Sequence, residues 1–313
     1  MHLKLARLCL LLRAEKCAEK SLERMNTGDT AIGLYSGFTD VDSKLNGYQD
    51  GKLYIIAARP GVGKTAFALN TAHGISSGAN GGIIPGYFAS IEMTEEELGF
   101  RQLASSTGLD GNRIQKGVLT GPQADELTHA AAKLGECGVR IKEYASLTPA
   151  VLYAKLRREI IENGIRYAMV DYLQLMRPNQ KCESRVVEIE TVTRDLKSMA
   201  ASLKIPIIAL AQLNRDASGR LPTLADLKGS GQIEQDAHGV IFIHRMHDAE
   251  MIEEREKTTT IIAKNRGGQT GHINMRFDGP TTTFHEIYVD SDKFEVYDGS
   301  GFDHGSSDGY GDF

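Results

Sequence analysis

Ala58-Arg59-Pro60-Gly61-Val62-Gly63-Lys64-Thr65 is the stretch whose reading decides the fold. It fits the Walker A pattern, with alanine in the first glycine position. The apolar run Leu53-Tyr54-Ile55-Ile56-Ala57 before it predicts a buried strand. Phe67-Ala68-Leu69-Asn70-Thr71-Ala72 after it predicts a helix. Strand, loop of small residues and helix, in that order, are the setting in which the motif has chemical meaning. Small residues let backbone N–H groups turn inward around a phosphate, at the positive end of the helix dipole. On this reading Ala58, Arg59, Pro60, Gly61, Val62, Gly63, Lys64 and Thr65 cradle the phosphates of ATP. Lys64 reaches the β- and γ-phosphates, and Thr65 offers its hydroxyl to Mg²⁺.

The chain has 313 residues, enough for one large domain with attachments. Hydrophobic residues make up 41% and charged residues 25%, a soluble globular profile. The net charge of −5 gives no overall sign of a nucleic-acid binder, yet leaves room for a local basic stripe. The four cysteines, Cys9, Cys17, Cys137 and Cys182, form no C-x-x-C pair, which argues against zinc and a disulfide framework and fits a reducing cytoplasm. The apolar run from Leu8 to Leu12 is too short to span a membrane, and the charges that follow it are wrong for a signal peptide.

Three parts are expected: a linker helix over 1–30, an α/β domain over 31–290, and an acidic tail over 291–313. Leu3, Leu5, Leu8, Leu11 and Leu12 share one side of the first helix, which either packs on its own core or docks as an arm on a neighbouring subunit. In the middle part strands 53–57, 87–91, 139–143, 166–170 and 206–211 alternate with helices. Thr94 with Glu97 reads as a capping box, and Thr148-Pro149 as an N-cap followed by a first-turn proline. Continuous apolar strands between helices imply a mostly parallel sheet covered on both faces. Strands near 239–244, 259–263, 271–277 and 283–288 have no helix between them, so the sheet is expected to end in antiparallel strands. From Asp298 the chain turns to Gly, Ser, Asp and aromatics and is expected to be disordered.

Tyr167-Ala168-Met169-Val170-Asp171 is an apolar strand ending in a carboxylate, the Walker B pattern, and Asp171 is expected to share Mg²⁺ with Thr65. Glu92 ends the strand Tyr87–Ile91, where a carboxylate polarises an attacking water or simply ends a strand. Gln212 ends strand 206–211, where an amide senses the γ-phosphate. Lys264-Asn265-Arg266-Gly267-Gly268 ends a strand and opens a hairpin: a solvated turn, or two cations that reach a neighbour's γ-phosphate. The small residues and single lysine of Asp226-Leu227-Lys228-Gly229-Ser230-Gly231 suit either a mobile surface loop or close approach to an anionic backbone.

Residues 33–290 resemble the C-terminal ATPase domain of DnaB-type replicative helicases. The resemblance is carried by the 57–65 loop, Ser90-Ile91-Glu92-Met93, Asp171-Tyr172-Leu173-Gln174-Leu175-Met176, Ala211-Gln212-Leu213-Asn214-Arg215, Gly229–Ala237 and Ala263-Lys264-Asn265-Arg266. It implies a RecA-like P-loop NTPase fold, a homohexameric ring with ATP sites between subunits, and translocation along single-stranded DNA. In a RecA-like order, the strand ending at Glu92 adjoins the P-loop strand. By the same resemblance Glu92 is the catalytic carboxylate, Gln212 the γ-phosphate sensor, and Lys264 with Arg266 fingers acting in trans. Lys228, Gly229 and Gly231 then line the central channel and grip the DNA backbone.

Two departures from the family pattern stand out. Members usually carry a sizeable N-terminal helical domain that supports the ring and contacts primase, whereas one short helix precedes the core here. The family loop usually reads Arg-Glu-Ser-Gly, against Lys228-Gly229-Ser230-Gly231. Together they point to a phage or prophage version working in a bacterial cytoplasm. The acidic tail ending in Phe313 resembles tails that dock on a polymerase or helicase loader. Two other readings share the ATPase core: a RecA-like recombinase or mediator, and a DNA-loaded platform that does not unwind.

Overall fold

A computed structural model describes residues 18–19, 21–22, 25, 32–214, 220–227, 230–245 and 257–287. The acidic tail lies outside the described residues, as do most of residues 1–30.

The strand after the first short helix, α1 (Thr39–Leu45), is β1 (Leu53–Ala58), buried along its whole length. The P-loop leads from it into α2 (Lys64–Ser76). Then come β2 (Gly86–Ser90), α3 (Glu95–Thr107), α4 (Gly111–Gln115), α5 (Gly121–Glu136) and β3 (Val139–Glu143). α6 (Pro149–Asn163), β4 (Tyr167–Asp171), α7 (Arg185–Leu203) and β5 (Ile207–Gln212) complete the alternating part. α8 (Ser230–Asp236) precedes a last run of strands, β6 (Gly239–Arg245), β7 (Lys257–Asn265), β8 (Gly271–Asp278) and β9 (Thr283–Glu286).

Among the described residues, nine strands form one sheet in the order β3-β2-β4-β5-β1-β6-β7-β8-β9. From β3 to β6 neighbours run parallel, and from β6 to β9 they run antiparallel. The α/β architecture and the antiparallel end are therefore as the sequence implies. One placement differs. β2 does not adjoin β1, because β4 and β5 stand between them. Continuous apolar strands carry no information about which neighbour each one takes, so the order was not readable from them.

Side-chain alternation divides the core between the two faces. Leu53, Ile55 and Ala57 of β1 join Leu152 and Leu156 of α6 and Ile189, Val192, Leu196 and Met199 of α7. Tyr54, Ile56 and Ala58 join Phe67, Leu69 and Ala72 of α2, Val41 and Leu45 of α1, and Phe277 and Phe284 of the last strands. Each such aliphatic or aromatic side chain removed from water contributes about 1.5–3 kcal/mol, which makes this alternation the main source of register. At the helix starts, Thr94 and Glu97 form the expected capping box, and Thr148 accepts from the Val151 N–H. α1 is started otherwise. Its Thr39 and Asp40 N–H groups donate to the Glu286 carboxylate, each at 2.8 Å.

Candidate nucleotide site

β1, β2, β4 and β5 are parallel, so their carboxyl ends lie along one edge of the sheet, where ligands of open α/β sheets bind. The P-loop leaves β1 at that edge. Gly61 and Gly63 have φ of 77° and 105°, a conformation that side chains with a Cβ rarely adopt. A Cβ on Gly63 would also lie 3.0 Å from Phe284 Cζ. Ala58 and Val62 turn into the core and shape the loop from beneath. Arg59, Pro60, Gly61, Gly63, Lys64 and Thr65 line a cavity of about 280 Å³.

Four expected side chains meet there. Lys64 Nζ lies 3.1 Å from Asp171 Oδ1 and 3.8 Å from Glu92 Oε2. The Thr65 hydroxyl donates to Asp171 Oδ2 at 2.6 Å. Asp171 is wholly buried, and its Oδ1 faces the Lys64 ammonium without accepting a hydrogen bond. Glu92 is half exposed and stands at the mouth of the cavity. It reaches Lys64 across two intervening strands because it lies beyond the end of β2, where Ile91 N–H still donates to Asp171 O at 2.7 Å. Gln212, at the end of β5, lines the same cavity.

This donor set fits Mg²⁺: a hydroxyl and a buried carboxylate are hard oxygen ligands, and one carboxylate oxygen has its hydrogen-bonding capacity unused. Thr65 and Asp171 are the residues that would hold it. The remaining small-residue loop, with N–H groups at the start of α2, suits phosphate oxygens.

A family profile described as the DnaB-like helicase C terminal domain matches residues 33–286. The chain belongs to that family. The DnaB-like domain seen here is 35% identical over 263 residues to the replicative DNA helicase DnaB of Geobacillus stearothermophilus, covering 82% of this chain and 57% of that protein. It is 36% identical over 251 residues to the replicative DNA helicase DnaC of Bacillus subtilis (strain 168), covering 78% of this chain and 54% of that protein. A solved DnaB-like replicative helicase, studied with its primase interactions, superposes with a TM-score of 0.79 at 31% identity over 88% of this chain and 67% of that one. This chain spans a little over half the length of the curated relatives it matches.

The DnaB-like site also holds residues that sequence reading missed. Arg101, on α3, lines the cavity nine positions after Glu92. Its signal was available: the helix opened by Thr94 carries it back past the site. The Tyr172 ring lies beneath Lys64, with Nζ 4.0 Å from its centroid. Burial, then the Glu92 and Asp171 carboxylates, raise the Tyr172 hydroxyl above its ordinary pKa. Arg245, at the end of β6, donates to Gly61 O at 2.9 Å and covers the Phe277 ring at 4.6 Å. Nothing near Arg245 in the sequence marks it, because its partners are 184 and 32 positions away.

Lys264 and Arg266 do not line the cavity of their own chain. Lys264 donates to Glu234 O and Arg266 to Gln235 O, both carbonyls in the last turn of α8. Burial and the neighbouring Arg266 lower the Lys264 pKa. Of the residues expected to meet DNA, Lys228 and Gly229 lie outside the described residues. Gly231 belongs to α8. Of the loop expected over 226–231, Asp226 ends a 3-10 helix, Leu227 is bridged to Leu213, and Ser230 and Gly231 open α8. Ile233 and Ala237 are buried, and Lys197 pairs with Asp236 at 2.7 Å, which is why the chain coils there. At the end of that 3-10 helix, Asp226 accepts from Arg220 Nη2 at 2.6 Å and from Thr223 N–H at 2.7 Å. The Arg220 guanidinium, then the Thr223 donors, draw the Asp226 pKa down to about 2. Among the described residues no helix is long and apolar enough to cross a membrane.

Proposed function

We propose that this chain is the ATP-hydrolysing motor of a replicative DNA helicase, which moves along single-stranded DNA as a hexameric ring and unwinds duplex at a fork in a bacterial cytoplasm. One observation carries the reading: Lys64, Thr65, Glu92 and Gln212 line one cavity inside a DnaB-like domain, with Asp171 buried against Lys64 and Thr65. Lys64 exchanges its two carboxylates for the β- and γ-phosphates of ATP. Glu92 orients the attacking water and takes its proton. Gln212 donates its amide to the γ-phosphate. Thr65 and Asp171 would hold Mg²⁺, which would supply charge neutralisation on the phosphate oxygens. Lys264 and Arg266 act on the neighbouring subunit's site, a role supported by their absence from their own cavity. Lys228, Gly229 and Gly231 meet the DNA backbone at and before the start of α8. Primase, a loader and a polymerase are the protein partners, the first because a structurally similar helicase is described with primase interactions.

Native mass spectrometry with a non-hydrolysable ATP analogue and oligo-dT tests assembly. Six copies with one bound strand are expected, and filaments of open length would favour a recombinase instead. A fork-unwinding assay beside an ATPase assay separates a helicase from a platform that hydrolyses ATP without unwinding.

A further inference from the structure

The β4–β5 ladder stops early. Its last paired residues are Val170 and Ala209, yet β5 continues to Gln212. After Asp171 the chain turns through the short 3-10 helix Leu173–Leu175 and leaves the edge of β5 without a strand beside it. Gln174 fills that position with its side chain. Its Nε2 donates to Gln212 O at 3.1 Å, and its Oε1 accepts from Gln212 N–H at 3.1 Å. One carboxamide thus makes the pair of bonds that a neighbouring strand would make. Gln174 is buried, and Arg185 at the start of α7 donates to its carbonyl oxygen. Across β5, Leu213 N–H donates to Ala58 O at 3.1 Å. The backbone at the end of β5 is therefore held on both sides, while the Gln212 side chain lines the nucleotide cavity.

We propose that Gln174 is a positioning residue that sets the Gln212 amide against the γ-phosphate of ATP. The inference rests on the role proposed above for Gln212. Gln174 does not line the cavity and acts only through the backbone it clamps. Without the clamp, two backbone groups have no partners and the end of β5 drifts. The Gln212 amide then moves off the γ-phosphate, the one group that distinguishes a triphosphate from a diphosphate. The rest of the P-loop, reached from β1, meets the end of β5 only at Ala58 on its base, so the cradle for the α- and β-phosphates is expected to be affected far less.

The test compares dissociation constants for ADP and for a non-hydrolysable ATP analogue on the full chain. Gln212→Ala is expected to reduce the preference for the triphosphate; if it does not, the sensor role of Gln212 falls and the proposal with it. Gln174→Met keeps the side-chain length and removes both bonds. It is expected to reduce the same preference by about tenfold while ADP affinity stays within about twofold. The double variant is expected to be no worse than the more affected single variant, the mark of two residues acting as one unit. An unchanged preference in Gln174→Met, an equal loss for both nucleotides, or additive losses in the double variant would each overturn the proposal. If Gln174→Met does not fold, Gln174→Glu serves, since it retains the acceptor for Gln212 N–H and sets a carboxyl oxygen against Gln212 O in place of the donor. A loss in the same direction is then expected, and none would overturn the proposal.

Discussion

Lys64 meets the Glu92 and Asp171 carboxylates and the face of Tyr172. Its charge is thus already committed inside the site, and on the proposed reading phosphate binding would exchange one set of anionic partners for another. Lys64→Ala is expected to reduce ATP hydrolysis to background while the circular dichroism spectrum stays native. Near-normal turnover in that variant would remove Lys64 from the mechanism. Arg266 poses a different question, because its guanidinium donates to α8 and not to its own cavity. Arg266→Ala is expected to bind nucleotide almost normally and to hydrolyse it about 10³-fold more slowly. Mixed into wild-type protein, it should suppress activity beyond its mole fraction. A strictly linear loss would show that Arg266 works within its own subunit.

The elements that position these residues differ in how they are started and held. α1 begins at a carboxylate from β9, so Glu286→Ala is expected to cost about 1 kcal/mol of stability, measured by chemical denaturation. The segment before α8 depends on Asp226, whose pKa falls from an ordinary 3.8 to about 2 beside Arg220. A depressed carboxylate stabilises the fold above its unfolded pKa, and that contribution disappears as pH falls from about 4 to about 2. Arg220→Ala is expected to lower the melting temperature at pH 7 and to have a much smaller effect near pH 2. These two cases also show what a sequence conveys. The capping box at Thr94, the N-cap at Thr148 and the strand ending in Asp171 were legible because each signal lies within a few residues. α1 was not, since its cap comes from 246 and 247 positions away. The core of the site was legible as motifs, whereas Arg245 and the clamp by Gln174 exist only once distant strands are side by side.

Across the whole molecule, α1 packs against the last strands, and Asp42 on α1 is buried within reach of the Glu286 charge. Its carboxylate accepts from Ser36 N–H at 2.8 Å and Gly37 N–H at 2.9 Å, yet burial pushes its pKa up to about 6. The folded protein therefore holds a proton that the unfolded chain releases near 3.8. Stability from this group is complete below that value and declines as pH rises through about 6. Asp42→Asn is expected to flatten the dependence of unfolding free energy on pH between about 4 and 6. On DNA, Lys228→Ala is expected to weaken single-strand binding and reduce the slope of log affinity against log salt by the share of about one phosphate. An unchanged slope would place Lys228 outside the DNA path. The docking of Lys264 and Arg266 on the last carbonyls of α8 links these distant parts in one further way. Two cations cannot serve a helix end and a neighbour's phosphate at once. If they act in trans as proposed, whatever strengthens their hold on α8 weakens their hold on the adjoining protomer, and by thermodynamic reciprocity the same factor applies in the other direction. On the proposed reading, a protomer whose Lys264 and Arg266 engage a neighbour's phosphate would leave the end of α8 without the donors to Glu234 O and Gln235 O, so occupancy of one subunit's nucleotide would be felt as a looser helix end in the next.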